Sequence, residues 1–265
     1  MKTVVILGVN ADIGKNIANY FLNDGCFVIG TYRNKKPFFN SENINLFKCD
    51  ITNSNDVSKF VKKLKKNKTE WDYIFSSIGT SEPIGKFFKI KFTKWKKSIN
   101  INFISQLEII HSLYSLRSKR KKNSIILMAG GGTNGPFRNY SAYCVAKIGL
   151  IKMCELIDDE FDNINIFILG PGFTRTKTHL ETIKAGKKAG KNYLRVKKFM
   201  SSKKNTGTSF KEIYDFINWG IKQGKKIVSG RNFSVVNDDW KHKPKLLQEK
   251  LKKNIAMYKL RRYLN

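Results

Sequence analysis

Short apolar runs alternate along the chain with longer segments in which apolar residues recur every three to four positions. The short runs have strand length: Thr3 to Leu7, Cys26 to Thr31, Ile44 to Cys49, Tyr73 to Ser76, Ser124 to Met128, Asn165 to Leu169 and Lys226 to Val228. Between them, Ile13 to Asn23, Asp56 to Lys66, Trp95 to Leu116, Tyr140 to Asp159 and Phe210 to Ile221 each carry one apolar face with polar flanks, the pattern of helices packed on a sheet. Alternation of this kind predicts βαβ units, and so an α/β fold with a Rossmann-like, doubly wound parallel sheet of seven strands flanked by helices. One stretch, Thr174 to Gly207, lacks a clear period, and a loop of that length in a compact domain is usually functional or disordered.

Composition narrows the class. With 265 residues, 41% of them apolar, the chain supports one large core, so residues 1–240 are expected to form a single domain with a substrate lid at 176–205 and a basic amphipathic extension at 241–265. No apolar run reaches the roughly 18 residues of a membrane span, and Thr3 to Leu7 is too short for a signal-peptide core. Cys26, Cys49, Cys144 and Cys154 form no C-x-x-C pair and no histidine stands at zinc-ligand spacing, which fits a reduced cytoplasm and no metal. The formal charge of +31 invites a nucleic-acid reading, yet only nine of the 51 basic residues are Arg. Lys, Asn and Ile are abundant together throughout, as an AT-rich genome filling solvated positions would leave them, and no nucleic-acid partner is expected.

The first strand runs into Gly8-Val9-Asn10-Ala11-Asp12-Ile13-Gly14, which opens a helix. Gly8 permits a tight turn, and Gly14 lets the helix approach the sheet and aim its first N–H groups at a pyrophosphate. Taken alone the turn fits an ordinary strand-to-helix connection equally well. After the second strand comes Tyr32-Arg33-Asn34, with an Arg where an NAD site typically has an acid for the ribose 2′-hydroxyl. A guanidinium there suits a 2′-phosphate, which favours NADP with NAD left open. Asp50, after the third strand, is placed either to accept from an adenine amino group or to form an Asx turn into Asn53.

Tyr143 and Lys147 stand at i and i+4 in Ser141-Ala142-Tyr143-Cys144-Val145-Ala146-Lys147, on one helix face. A phenol of ordinary pKa near ~10 is a poor acid or base at neutral pH, and a neighbouring ammonium stabilises its anion. The pair suits proton exchange with a carbonyl oxygen.

With these motifs in this order, the chain resembles the single-domain short-chain dehydrogenase/reductase superfamily from Thr3 to Trp240. The resemblance matches Asp50-Ile51-Thr52 to the family's adenine motif and Ser76-Ser77-Ile78-Gly79 to its Asn-Asn-Ala-Gly motif. It also matches Asn102, seven positions after Trp95, to the active-site asparagine. Pro171-Gly172-Phe173-Thr174-Arg175-Thr176 looks like the nicotinamide-facing segment, in which Thr176 would hold the carboxamide. A softer resemblance, carried by Gly130-Gly131-Gly132 and by the ending around Ser229-Gly230-Arg231, Asp238-Asp239-Trp240 and Tyr258 to Arg262, is to members encoded among surface-polysaccharide genes.

Three departures stand out. Asp12 replaces the middle glycine of the turn and is tolerable if its side chain points away from the phosphates; Ser76 and Ser77 replace two asparagines; and Gly130 occupies the position of the catalytic serine. Thr133 or Ser141 could supply a replacement hydroxyl, although Ser141 equally suits a helix N-cap.

The resemblance implies hydride transfer between a nicotinamide and a substrate carbon, interconverting a ketone and a secondary alcohol. Tyr143 would move the proton, Lys147 would bind the nicotinamide ribose and lower the tyrosine pKa, and Asn102 would hold a relay water. The alternative is a catalytically weakened NADP(H) sensor or scaffold. The lid carries Lys177, Lys184, Lys187, Lys188, Lys191, Arg195, Lys197, Lys198, Lys203 and Lys204 against Glu181 alone, which suits an anionic small-molecule substrate such as a phosphorylated or nucleotide-linked sugar. The helices Trp95 to Leu116 and Tyr140 to Asp159 resemble the pair through which family members form homodimers and homotetramers. His111 and His179 are assigned no catalytic part.

Overall fold

The computed structural model describes residues 1–119, 123–204 and 206–262. Seven strands, β1 (Thr3–Leu7), β2 (Phe27–Tyr32), β3 (Ile44–Lys48), β4 (Tyr73–Ser76), β5 (Asn123–Met128), β6 (Ile164–Gly170) and β7 (Asn232–Ser234), form one sheet in the order β3-β2-β1-β4-β5-β6-β7. All six pairings are parallel. The near-continuous burial of β1, β5 and β6 follows from helices on both faces.

One face is covered by α1 (Asp12–Asn23) and α8 (Phe210–Gln223), which bring Ile17, Phe21, Phe216 and Ile217 onto Val4, Ile6 and Phe167. The other is covered by α2 (Ser54–Lys66), α4 (Ser105–Leu113) and α5 (Ser141–Glu160), whose Phe60, Leu64, Ile109, Leu113 and Leu150 meet Val5, Leu7 and Ile166. The strand order reverses between β1 and β4, which opens a crevice beyond their C-terminal ends.

Three expectations need correction. Lys226 to Val228 lies in a short helix, α9 (Lys225–Val228), between Gly224 and Gly230, both at positive φ, and the seventh strand follows four residues later. Ile227 and Val228 pack into the core from that helix, while β7 buries only Phe233, so an apolar pair too short to show a period pointed to the wrong segment. The helix expected from Trp95 to Leu116 is α3 (Phe92–Ile99), a π-helical turn (Asn100–Ile104), α4 and a 3₁₀ turn (Tyr114–Leu116). The stretch from Thr174 to Gly207 is largely helical, with α6 (Lys177–Ala185), a 3₁₀ turn (Gly186–Ala189) and α7 (Lys191–Ser201). Its buried positions, Thr174, Thr182, Ala189, Val196 and Phe199, are too sparse and too often polar or small to give a hydrophobic stripe.

Beyond Trp240 the chain packs back on the core. α10 (Pro244–Lys253) inserts Leu247 and Leu251, and the buried Arg231 guanidinium donates to the carbonyls of Leu251 (2.9 Å), Asn254 (3.1 Å) and Met257 (2.6 Å), satisfying the helix's C-terminal end. Asn232 N–H donates to Tyr258 O at 2.8 Å, so the tail covers the edge of β7. Residues 263–265 of the expected extension, and Asn205 of the expected lid, lie outside the described residues. Among the described residues no helix is long and apolar enough to cross a membrane.

Candidate functional site

A groove of about 2030 Å³ runs along the C-terminal ends of the strands and gathers nearly every residue singled out from the sequence. At the glycine turn, Gly8 sits at φ +79° and its carbonyl accepts from Ala11 N–H at 2.9 Å. A Cβ on Gly14 would strike that same carbonyl, so only glycine lets α1 start this close to β1. Ala11, the N-cap of α1, offers no side-chain acceptor, which leaves the first-turn N–H groups for an external anion. Asp12 does turn away from the turn: its Oδ2 accepts from Lys177 N–H at 2.8 Å, at the start of α6. Asn10 and Ile13 line the groove, and the Asn10 amide donates to Lys35 O at 3.1 Å.

Arg33 is exposed just past β2 and lines the same groove. Asp50 adopts the Asx turn, its Oδ1 accepting from Thr52 N–H (3.0 Å) and Thr52 Oγ1 (2.8 Å), while Asn53 caps α2. Asp50 and Ile51 nevertheless remain on the groove wall.

Tyr143 and Lys147 emerge from the first turns of α5 and line the groove together, with the ammonium 5.8 Å from the phenol ring centroid. Lys147 is 3% exposed and donates to Met128 O at 2.7 Å. Burial pushes its pKa down to about 8. Burial raises the pKa of the Tyr143 phenol, with smaller contributions from Cys144 and Glu181. Desolvation of the phenolate outweighs the expected lowering of the tyrosine pKa by Lys147, whose ammonium gives one of its three N–H groups to the Met128 carbonyl. At neutral pH Tyr143 is an acid holding its proton.

Gly130 has a specific steric reason. A Cβ there would lie 2.6 Å from Cε1 of Tyr143 and closer still to its hydroxyl, so the phenol occupies the space a serine would need. Of the two candidate replacements, Ser141 is absent from the groove and accepts from Trp95 Nε1 at 3.1 Å. Thr133 does line the groove, with its hydroxyl donating to Gly130 O at 3.3 Å.

Asn102 is fully buried in the π-helical turn, a distortion that recurs at functional sites. Its side chain clamps the Thr80 backbone, accepting from Thr80 N–H at 3.0 Å and donating to Thr80 O at 2.9 Å. Its own carbonyl accepts from Gln106 Nε2 at 2.8 Å, and Gln106 Oε1 accepts from Ser76 Oγ at 2.6 Å. A Cβ on Gly79 would stand 3.3 Å from Asn102 Oδ1 and 3.9 Å from Lys147 Nζ, which places that glycine between the two. Gln106 was missed from the sequence; the available signal was its position one turn beyond Asn102 on a buried face.

Pro171, Gly172, Phe173 and Thr176 line the groove where β6 ends, with Gly172 at φ +76°. Thr176 is the extended N-cap of α6 and shares a 2.8 Å hydrogen bond with Thr178. His179 packs against Phe173 and Phe199 with ring centroids 5.2 and 5.3 Å away, and burial pushes its pKa down. His111 is exposed and outside the groove. Of the ten cations of the expected lid, Lys177, Lys184, Lys188 and Arg195 line the groove, joined from α3 by Lys94 and Lys97. Among the described residues no cluster of three metal-ligating side chains occurs, and all four cysteines are free.

Residues 2–186 match the family model described as short chain dehydrogenase. The chain is 22% identical over 182 residues to the uncharacterized oxidoreductase YIR035C of Saccharomyces cerevisiae, covering 66% of this chain and 71% of that protein. The crystal structure of that protein superposes with a TM-score of 0.78 at 20% identity, over 90% of this chain and 97% of the other. A 3-oxoacyl-[acyl-carrier-protein] reductase of Buchnera aphidicola is 28% identical over 188 residues, 66% of this chain and 74% of its own. A variant of ElxO with NADPH bound has a TM-score of 0.72 at 21% identity, with 88% of this chain and 96% of that chain covered. On the fold, the site and the family match together, this chain belongs to the short-chain dehydrogenase/reductase family of oxidoreductases.

Proposed function

We propose that the protein is an NADP(H)-dependent carbonyl reductase whose proton donor is Tyr143. The observation that carries this reading is the pairing of a phenol held protonated by burial with a buried ammonium, on one helix face and in one groove with an uncapped, glycine-framed helix N-terminus. The first-turn N–H groups of α1 suit a pyrophosphate, Arg33 suits a 2′-phosphate, and Pro171 to Thr176 with Gly79 suit the nicotinamide end. The donor set fits the dinucleotide, and Arg33 is the feature that favours its phosphorylated form.

When bound, the dinucleotide supplies the hydride. Tyr143 then delivers a proton to the developing alkoxide, and Lys147, charged below about pH 8, stabilises the anion left on the phenol. Asn102 holds the Thr80 backbone that walls the site, and Thr133 lines the groove beside Gly130.

For the substrate we favour an anionic keto-sugar, phosphorylated or nucleotide-linked, of the kind handled in surface-polysaccharide synthesis. Lys94 and Lys97 from α3, Lys184 from α6, Lys188 from the 3₁₀ turn after it and Arg195 from α7 border the same groove, a field that attracts anions. Four free cysteines suit a cytoplasmic enzyme. Exposed Ile104 and Val145, on the two helices expected to meet a second copy, favour a dimer or tetramer with a solution mass of at least twice 30.6 kDa.

The test is NADPH fluorescence on the purified protein, first alone and then with a panel of keto-sugars and small ketones. NADPH oxidation with a panel member is expected. Binding without turnover across the panel would replace the enzyme by a sensor.

A further inference from the structure

Helix α6 lines the groove along most of its length and is fastened at two points by carboxylates whose partners are far away in sequence. Glu181, the only acid among the ten cations of the lid, accepts from Ser81 N–H (2.7 Å) and Ser81 Oγ (2.8 Å) through Oε2, and from Thr80 Oγ1 (3.1 Å) through Oε1. Ser81 Oγ also lies 3.4 Å from Thr178 O. The Thr80 backbone is in turn clamped by Asn102, whose carbonyl is held by Gln106, itself bonded to Ser76 at the end of β4. An unbroken hydrogen-bonded path thus runs from the sheet to the lid.

At its other end α6 has no side-chain cap of its own, because Thr176 makes none. The missing acceptor comes from Asp12, 165 positions away, whose carboxylate receives the Lys177 N–H. An anion at a helix N-terminus is favoured both by the unsatisfied N–H groups and by the helix dipole. Asp12 stands on the glycine turn and Ser81 on the segment after β4, so α6 bridges both banks of the groove.

We propose that Asp12 and Glu181 are positioning residues that strap α6 over the bound dinucleotide, so that the cofactor leaves only when both carboxylates have released the lid. The proposal rests on the cofactor reading above, and it gives a physical role to the acid that stands where the turn would otherwise carry a glycine. Nothing in it requires either carboxylate to touch a phosphate; both are committed to protein donors.

The test uses the full chain, with Asp12→Gly, Asp12→Asn, Glu181→Gln and the Asp12→Gly/Glu181→Gln pair. Amide hydrogen exchange across residues 177–185 is measured without cofactor, and NADPH dissociation is followed by stopped-flow fluorescence. Exchange in α6 about tenfold faster in Asp12→Gly and Glu181→Gln, at unchanged global unfolding midpoint, is the expected result, with NADPH release accelerated in parallel. Asp12→Asn keeps an acceptor oxygen and should restore most of the protection. Unchanged α6 exchange in the pair overturns the strap whatever the nucleotide does. Faster exchange with unchanged NADPH release overturns its link to the cofactor. Equal loss of protection in Asp12→Asn and Asp12→Gly overturns the part assigned to the Asp12 acceptor. A parent protein that binds neither NADPH nor NADH while its variants still loosen α6 would sink the cofactor reading and its tie to the strap, and leave only a structural latch.

Discussion

The hydroxyl of Tyr143 stands where a side chain on Gly130 would begin. The absence of a side chain at position 130 and the placement of the phenol are therefore one structural fact: the glycine makes room, and the tyrosine fills it.

A serine placed at position 130 should accordingly harm the protein. Gly130→Ser must push the Tyr143 ring aside, and overpacking of this kind costs about 1–3 kcal/mol. Thermal unfolding should show a lower midpoint, and kcat should fall at least about tenfold, the scale of one misplaced acid. A gain in kcat would mean that Tyr143 readily adopts another position.

Arg33→Ala should weaken NADPH much more than NADH. A charge-assisted hydrogen bond contributes about 1.5–3 kcal/mol, or roughly ten- to a hundredfold in affinity. Equal losses for the two nucleotides, measured by fluorescence titration, would make Arg33 an ordinary surface cation.

The pH dependence follows from Lys147. Its pKa is lowered by burial from 10.5 to about 8, so the ammonium is present below that pH and lost above it. Carbonyl reduction should stay level at neutral pH and decline as pH rises through about 8. The Tyr143 phenol, raised by the same burial, adds no limb in that range. Lys147→Arg, which stays charged, should lack the decline; a limb that persists in it would belong to another group.

Charge reversal of the lid tests the substrate class. Lys184→Glu with Lys188→Glu should raise KM for an anionic keto-sugar at low ionic strength, with an effect that shrinks as salt screens the groove. Lys187→Glu with Lys191→Glu, which do not line the groove, serve as the control. Equal KM in both pairs would leave the cations without a part in capture.

Much of this was legible in the chain because its signals are local. Gly8 to Gly14 opens α1 directly after β1, and Tyr143 and Lys147 fall on one face of α5 at the spacing of a single turn. The sheet followed from alternation alone, and six of its seven strands lie where the apolar runs are. The seventh was misplaced because Ile227-Val228 is as apolar as a strand yet sits between two glycines that bound a helical turn. Helices α6 and α7 escaped because α6 buries Thr182 rather than a row of aliphatic residues. The remaining gaps are contacts across long separations. Nothing near Asp12 signals Lys177, nothing near Glu181 signals Ser81, and the fit of Tyr143 against Gly130 exists only once β5 and α5 are packed.

The central claim is that Tyr143 is the proton donor of an NADP(H)-dependent reductase, and one comparison tests it most directly: NADPH oxidation by the parent and by Tyr143→Phe, with the most active ketone of the panel, alongside NADPH affinity for both. Removing a general acid costs about two orders of magnitude or more. The predicted result is NADPH affinity nearly unchanged and kcat at least about a hundredfold lower in the variant. Comparable kcat in the two proteins would contradict the account.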